Sequence, residues 1–327
     1  MSGLFYAILT AVSDIFGAWL FALTARGIAA GYFFLSPRRA ATSARFYRVL
    51  FADRNRLYGW WCAWRQFQNF TTVFLDRYLL RDSGAITFTF QGREHFIQAM
   101  EKGHGGILLM SHMGNWEVGA RLLRRMLPQL PLMLFMGRRD KEQIERLQKE
   151  DLTASGIRIL VADQDADAPF ALVEGASFLQ TGGFVSMAGD MVWRPDQRVV
   201  AVRFLGCTVR LPEAPFMLAM LSGVPLYVFF ASSRGRGQHH FSVSGPVAIA
   251  AEHRAQRRQA VARAAQAYAD LLEDQVRCNP LEWYHFEPFL GPAAGPERSS
   301  PESEQTREGR HVESHQENQK ARMPNAQ

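Results

Sequence analysis

Cysteine is scarce in this 327-residue chain: Cys62, Cys207 and Cys278 are the whole complement. None has the paired spacing of a zinc site or a disulfide framework, which points to a reduced compartment and leaves no metal site to expect. A signal-peptide pattern is also missing, since no basic segment precedes the first apolar run and no small-residue cleavage site closes it. There is no internal repeat. A basic helix with interleaved stacking aromatics is absent too, so nucleic-acid binding would rest on the net charge of +6 alone and no nucleic-acid partner is expected.

One long apolar run does occur, "LFYAILTAVSDIFGAWLFALTA" at residues 4–25, with Asp14 near its middle. About twenty apolar residues can span a bilayer, but a central aspartate costs about 2.5–3.5 kcal/mol on insertion scales. A weak span, a tilted interfacial helix and a buried core helix all remain open. Arg38, Arg39, Arg45 and Arg48 follow the run. By the positive-inside bias they place the rest of the chain on the cytoplasmic side if residues 1–35 are a membrane anchor.

The 47% hydrophobic content supports a sizeable core, and the positive charge favours anionic partners. In residues 56–80, Leu57, Trp60, Trp61, Trp64, Phe67, Phe74, Leu75 and Tyr78 recur at helical spacing, a stripe suited to core packing or to a bilayer interface. From residue 84 short β-rich runs such as "AITFTF", "GILLMS", "LPLMLFM", "IRILVA", "GFVSMAG" and "VPLYVFF" alternate with helical segments near 93–102, 116–127, 140–154, 168–180, 213–221 and 253–277. That pattern predicts an α/β fold over residues 36–291, with a central, mostly buried mixed sheet flanked by helices. Residues 292–327 are rich in Glu, Gln, Arg, Ser and Pro and read as a disordered polar tail.

The chemistry concentrates in "SHMGNWEVG", residues 111–119, after the run "GILLM". His112 and Glu117 are five residues apart, about 140° round a helix, so one helical face cannot hold both. A strand ending at Ser111, a turn through His112 to Gly114 and a helix capped by Asn115 bring Glu117 into the first turn, from which it can fold back toward the imidazole. A histidine before a helix N-terminus, with one ring nitrogen on a carboxylate, is suited to deprotonating a hydroxyl.

Those residues carry a resemblance. "GGILLMSHMGNWEVG" is similar to the first block of the lipid A biosynthesis late acyltransferase family, within the wider His-x4-Asp/Glu glycerolipid and lysophospholipid acyltransferases. "FMGRRDKEQIERL", "GGFVSMAGDM", "VRFLGCTVRLPEAPFMLAMLSGVPLYVFF" and "NPLEWYHFEPF" resemble later blocks in the family's order, over roughly residues 5 to 290. The chain departs from the family pattern at Gly137–Asp140 and at Met191, which leaves the acceptor open. The resemblance implies a glycerolipid acyltransferase-like fold behind an N-terminal hydrophobic membrane-anchor helix. It also implies direct acyl transfer, in which His112, assisted by Glu117, deprotonates an acceptor hydroxyl that attacks an acyl thioester. The donor would be acyl carrier protein or acyl-CoA, a co-substrate with no further cofactor, and the acceptor a lipid or glycolipid at a membrane surface.

Arg138 and Arg139 end the run "LPLMLFM" and suit an anionic group of a substrate if that strand is parallel to the one before His112. Asp190, in the Gly-Asp pair, and Asn115 join them as candidate substrate-binding residues. Arg121, Arg124 and Arg125 read as a solvated helix face or a contact for an acidic carrier. "RGRGQHH" at 234–240 reads as a hairpin turn with exposed histidines. A non-catalytic lipid-binding or scaffold protein keeping this fold is the competing reading, and the intact His112/Glu117 pair argues against it.

Overall fold

The computed structural model describes residues 3–81, 85–137, 152–153, 155–162 and 168–293. Four helices come first: α1 (Gly3–Phe16), α2 (Ala18–Leu35), α3 (Pro37–Leu50) and α4 (Arg56–Leu79). The apolar run is not one helix. Gly17, at φ 99°, adopts a conformation that favours glycine and divides α1 from α2. Asp14 therefore avoids apolar surroundings: its carboxylate accepts the Tyr78 hydroxyl at 3.0 Å and pairs with Arg81 at 3.2 Å. Phe21 and Ala25 of α2 are buried against α4, where Phe21 stacks on Tyr78. By length and composition, Ala18–Leu35 is apolar enough to cross a membrane.

Nine strands follow among the described residues: β1 (Thr87–Gln91), β2 (Gly106–Met110), β3 (Leu132–Gly137), β4 (Arg158–Ala162), β5 (Phe184–Ala188), β6 (Val199–Phe204), β7 (Cys207–Pro212), β8 (Leu226–Gly235) and β9 (Gln238–Val243). Seven form one sheet in the order β1-β9-β8-β2-β5-β3-β4, while β6 and β7 make a separate hairpin. The main sheet is mixed, as expected: β8 and β9 are antiparallel, and the other pairs are parallel. The connecting helices are α5 (Arg93–Glu101), α6 (Trp116–Met126), α7 (Ala168–Gln180), α8 (Ala214–Ser222) and α9 (Arg257–Cys278). Of the expected helix at 140–154, nearly all lies outside the described residues.

Strand β2 is buried along its whole length, and its alternation divides the core. Ile107 and Leu109 join the cluster formed with α8 and α9, whereas Leu108 and Met110 join the cluster formed with α5 and α6. With both faces covered, the sheet exposes its strand ends, and a loop leaving the C-terminal end of β2 emerges beside those of β5 and β3.

Candidate active site

The register of β2 on β5 pairs Met110 with Ala188. His112 and Asp190, each two residues beyond, therefore leave adjacent strands side by side. The Asp190 carboxylate receives three donors. Its Oδ2 accepts the backbone N–H of His112 and the indole N–H of Trp283, each at 2.8 Å. Its Oδ1 meets Nδ1 of His112, also at 2.8 Å. An ionised carboxylate can only accept, so Nδ1 carries a proton, and Nε2 is the nitrogen that can act as a base whenever the ring is neutral. Burial by itself would lift the Asp190 carboxyl, but the charge and hydrogen bonds of His112, with His285 nearby, bring it down to about 2. The Asp190 side chain is fully enclosed, while that of His112 keeps 25% of its surface exposed. Expected at the substrate, Asp190 sits behind the histidine instead.

The turn after His112 depends on Gly114, whose φ is 59° and whose added Cβ would lie 2.3 Å from the carbonyl oxygen of Ala231. The C-terminal segment straps this turn from the other side. Gly114 N–H donates to Glu282 O and Tyr284 N–H to His112 O, both at 2.8 Å, and Met113 bridges to Trp283. Asn115 caps α6 as expected, with Oδ1 accepting from Val118 N–H at 3.3 Å. Its amide nitrogen donates to Asp76 at 3.1 Å, so both ends of this buried side chain are engaged within the fold.

Glu117 lies in the first turn of α6, where it suits the helix dipole. Its carboxylate is gripped by arginines: Arg77 approaches bidentately at 3.1 and 2.6 Å, and Arg121 adds a contact at 2.7 Å. All three side chains are largely or fully buried, so Arg121 does not lie on a solvated face. The carboxylate on Nδ1 of His112 is thus that of Asp190, 78 residues along the chain, and not the one five residues away.

Two rings flank His112 at 6.2 Å, Trp193 half-exposed at the mouth and His285 buried behind. His285 lies against Trp283 and Phe289, and its Nδ1 approaches the Glu287 carbonyl at 3.1 Å. Burial pulls its pKa down, against the opposing pull of Asp190. Arg138 and Arg139 lie outside the described residues. Strand β3, which leads to them, is parallel to β5 and so ends on the edge that carries His112.

The hairpin at 234–240 does turn between β8 and β9, but His239 is not exposed. It is buried, stacked on Phe241, with Nε2 3.4 Å from Asp76. Arg77, Trp283 and His285 escaped the sequence reading. Arg77 stood on an apolar helix with nothing to mark its partner, and the aromatic block at 281–286 was the one available signal for the other two.

A family model for bacterial lipid A biosynthesis acyltransferases matches residues 72–290, a span that holds Arg77, the His112 turn, Asp190 and the strap at 282–285. Comparison with curated proteins gives no match. With more than half of its length matched, and with a histidine–carboxylate pair at the sheet edge inside the matched span, the chain belongs to the bacterial lipid A biosynthesis acyltransferase family and is an acyltransferase.

Proposed function

We propose that the protein transfers a fatty acyl group from an acyl thioester, carried on acyl carrier protein or CoA, to a hydroxyl or amine of a lipid or glycolipid. We place it at the cytoplasmic face of the inner membrane. Membrane attachment is supported by the apolar α2 and by the arginines that follow it. The observation that carries the chemistry is the His112–Asp190 pair. Nε2 of His112 takes the proton of the acceptor hydroxyl as its oxygen bonds to the thioester carbonyl carbon. The resulting imidazolium is stabilised by Asp190 and returns that proton to the sulfur as the C–S bond breaks, so the ring ends neutral.

Glu117 is proposed to assist by holding the α6 N-terminus and its arginines fixed beside the histidine, while Arg138 and Arg139 take an anionic group of a substrate. Asp190 is assigned to the histidine and Asn115 to the cap, not to substrate contact.

The test is turnover of an acyl thioester with a glycolipid acceptor, followed by mass spectrometry of the product. His112→Ala is expected to lower kcat by about 10²–10⁴-fold with the fold intact. A folded His112→Ala protein acting at the parent rate would overturn the mechanism, and failure of any lipid to be acylated would overturn the assignment.

A further inference from the structure

Where α2 ends and α4 begins, apolar side chains stand uncovered. Leu35 is 85% exposed and Leu57 76%, with Trp60 at 41% and Trp61 at 47%. The aromatic rings here fall into two groups. Phe33, at the end of α2, meets Trp60 and Trp64 edge-on, and Tyr58 stacks on Trp61 at 5.4 Å. The packing reading of this stripe thus holds for Phe67 and Leu75, which are buried, and fails at the start of the helix.

Arginines surround the patch. The guanidinium of Arg65 lies 5.6 Å over Trp61 and that of Arg54 5.7 Å over Tyr58. Arg48 crosses Gly59 so closely that an added Cβ there would come within 3.0 Å of its Cγ. Residues 36–66 contain seven arginines and one acidic residue, Asp53, which is 3.4 Å from Arg54. A surface of this composition suits the headgroup level of a bilayer. Indole rings prefer that depth, aliphatic side chains enter the acyl boundary beneath, and the arginines meet anionic headgroups.

The course of α2 supports the same orientation. It runs antiparallel to α4, from the Phe21–Tyr78 stack to the contact of Tyr32 with Phe67. Helix α4 in turn sends Gln66 to the Trp283 carbonyl, Asp76 to Asn115 and Arg77 to Glu117. A helix fixed along that support lies with it in the interface, because standing across the bilayer would draw the polar face of α4 into hydrocarbon.

We propose that the α2–α4 corner is a docking surface for an anionic bilayer, with Leu57, Trp60 and Trp61 entering the interface and Arg48, Arg54 and Arg65 meeting the headgroups. The inference rests on the membrane-lipid acceptor of the proposed function, and its test separates the two. Full-length protein is floated with vesicles of phosphatidylglycerol and phosphatidylethanolamine, or of phosphatidylcholine alone, at low and raised salt. The parent chain should prefer the anionic vesicles and lose that preference as salt rises. Leu57→Ser/Trp60→Ser/Trp61→Ser and, separately, Arg54→Gln/Arg65→Gln should each weaken anionic-vesicle binding about 10-fold or more. Both should keep the parent melting profile and the parent rate on acyl thioester and acceptor in detergent micelles.

Unchanged vesicle affinity in the triple variant overturns the docking surface while leaving the membrane reading to α2. A change in oligomeric state without a change in vesicle affinity overturns it in favour of a second copy of the chain. A parent protein that binds neither vesicle overturns both readings.

Discussion

Asp190→Asn changes the shape of the site least and its chemistry most. The carboxylate holds two N–H donors on Oδ2, from the His112 backbone and Trp283, and one on Oδ1, from Nδ1 of His112. The introduced amide oxygen can keep the first two. Its NH2 group then faces Nδ1, which must accept, and the ring proton moves to Nε2, the nitrogen that should be the base. The fall of the Asp190 pKa from 3.8 to about 2 corresponds to roughly 2–3 kcal/mol in favour of the charged form, a preference that the amide cannot supply to an imidazolium.

We expect kcat to fall by about 10²–10⁴-fold with KM for the acyl donor nearly unchanged. The cost in stability should be only about 1–3 kcal/mol, since one hydrogen bond of three is replaced. Steady-state rates in micelles, a denaturant melt and the 15N shifts of the His112 ring together decide the matter. A natively folded variant with the parent kcat, or with the proton still on Nδ1, would refute the reasoning.

Trp283→Phe keeps an aromatic ring and removes one donor, so Asp190 becomes more basic, stabilises the imidazolium further, and moves the acidic limb of kcat/KM to higher pH. A limb that stays put would argue against the contact. Glu117→Gln leaves two buried guanidinium groups short of their counter-charge and should cost about 3–5 kcal/mol in a urea melt, and Arg77→Met/Glu117→Gln should recover part of that loss. Gly114→Ala places a methyl group against the Ala231 carbonyl and should lower both melting temperature and kcat, which calorimetry and rates would read together. Because the folded pKa of Asp190 lies below its ordinary value, its contribution to stability is complete above about pH 4 and is lost as pH falls toward 2. That slope should be missing from the acid melt of Asp190→Asn.

Local signals were readable in advance. The strand ending before His112, the Asn115 cap and the place of Glu117 in the first turn all follow from neighbours in sequence, as does the alternation of strands and helices. What escaped was set by pairing over distance. His112 and Asp190 meet because β2 and β5 are parallel in a register that equates Met110 with Ala188, and no local pattern carries that information. The Gly-Asp pair after a buried run marked the position but not its partner. Glu117 was read as facing the histidine because Arg77, 40 residues earlier, looked like an ordinary residue on a packed helix. At the N-terminus, hydropathy merged α1 and α2, although Gly17 and Asp14 both stood in the run as local clues.

The strap formed by residues 282–285 bears on the order in which the molecule comes into being. Every strand among the described residues has been translated by Val243, and the histidine turn more than a hundred residues earlier, yet Trp283 is still to come. Until it arrives, Asp190 lacks one of its three donors, and the backbone of His112 and Gly114 lacks the partners that hold it. A nascent chain thus acquires the strands of its sheet before the residues that fix its histidine turn, so the geometry around His112 is a late product of translation.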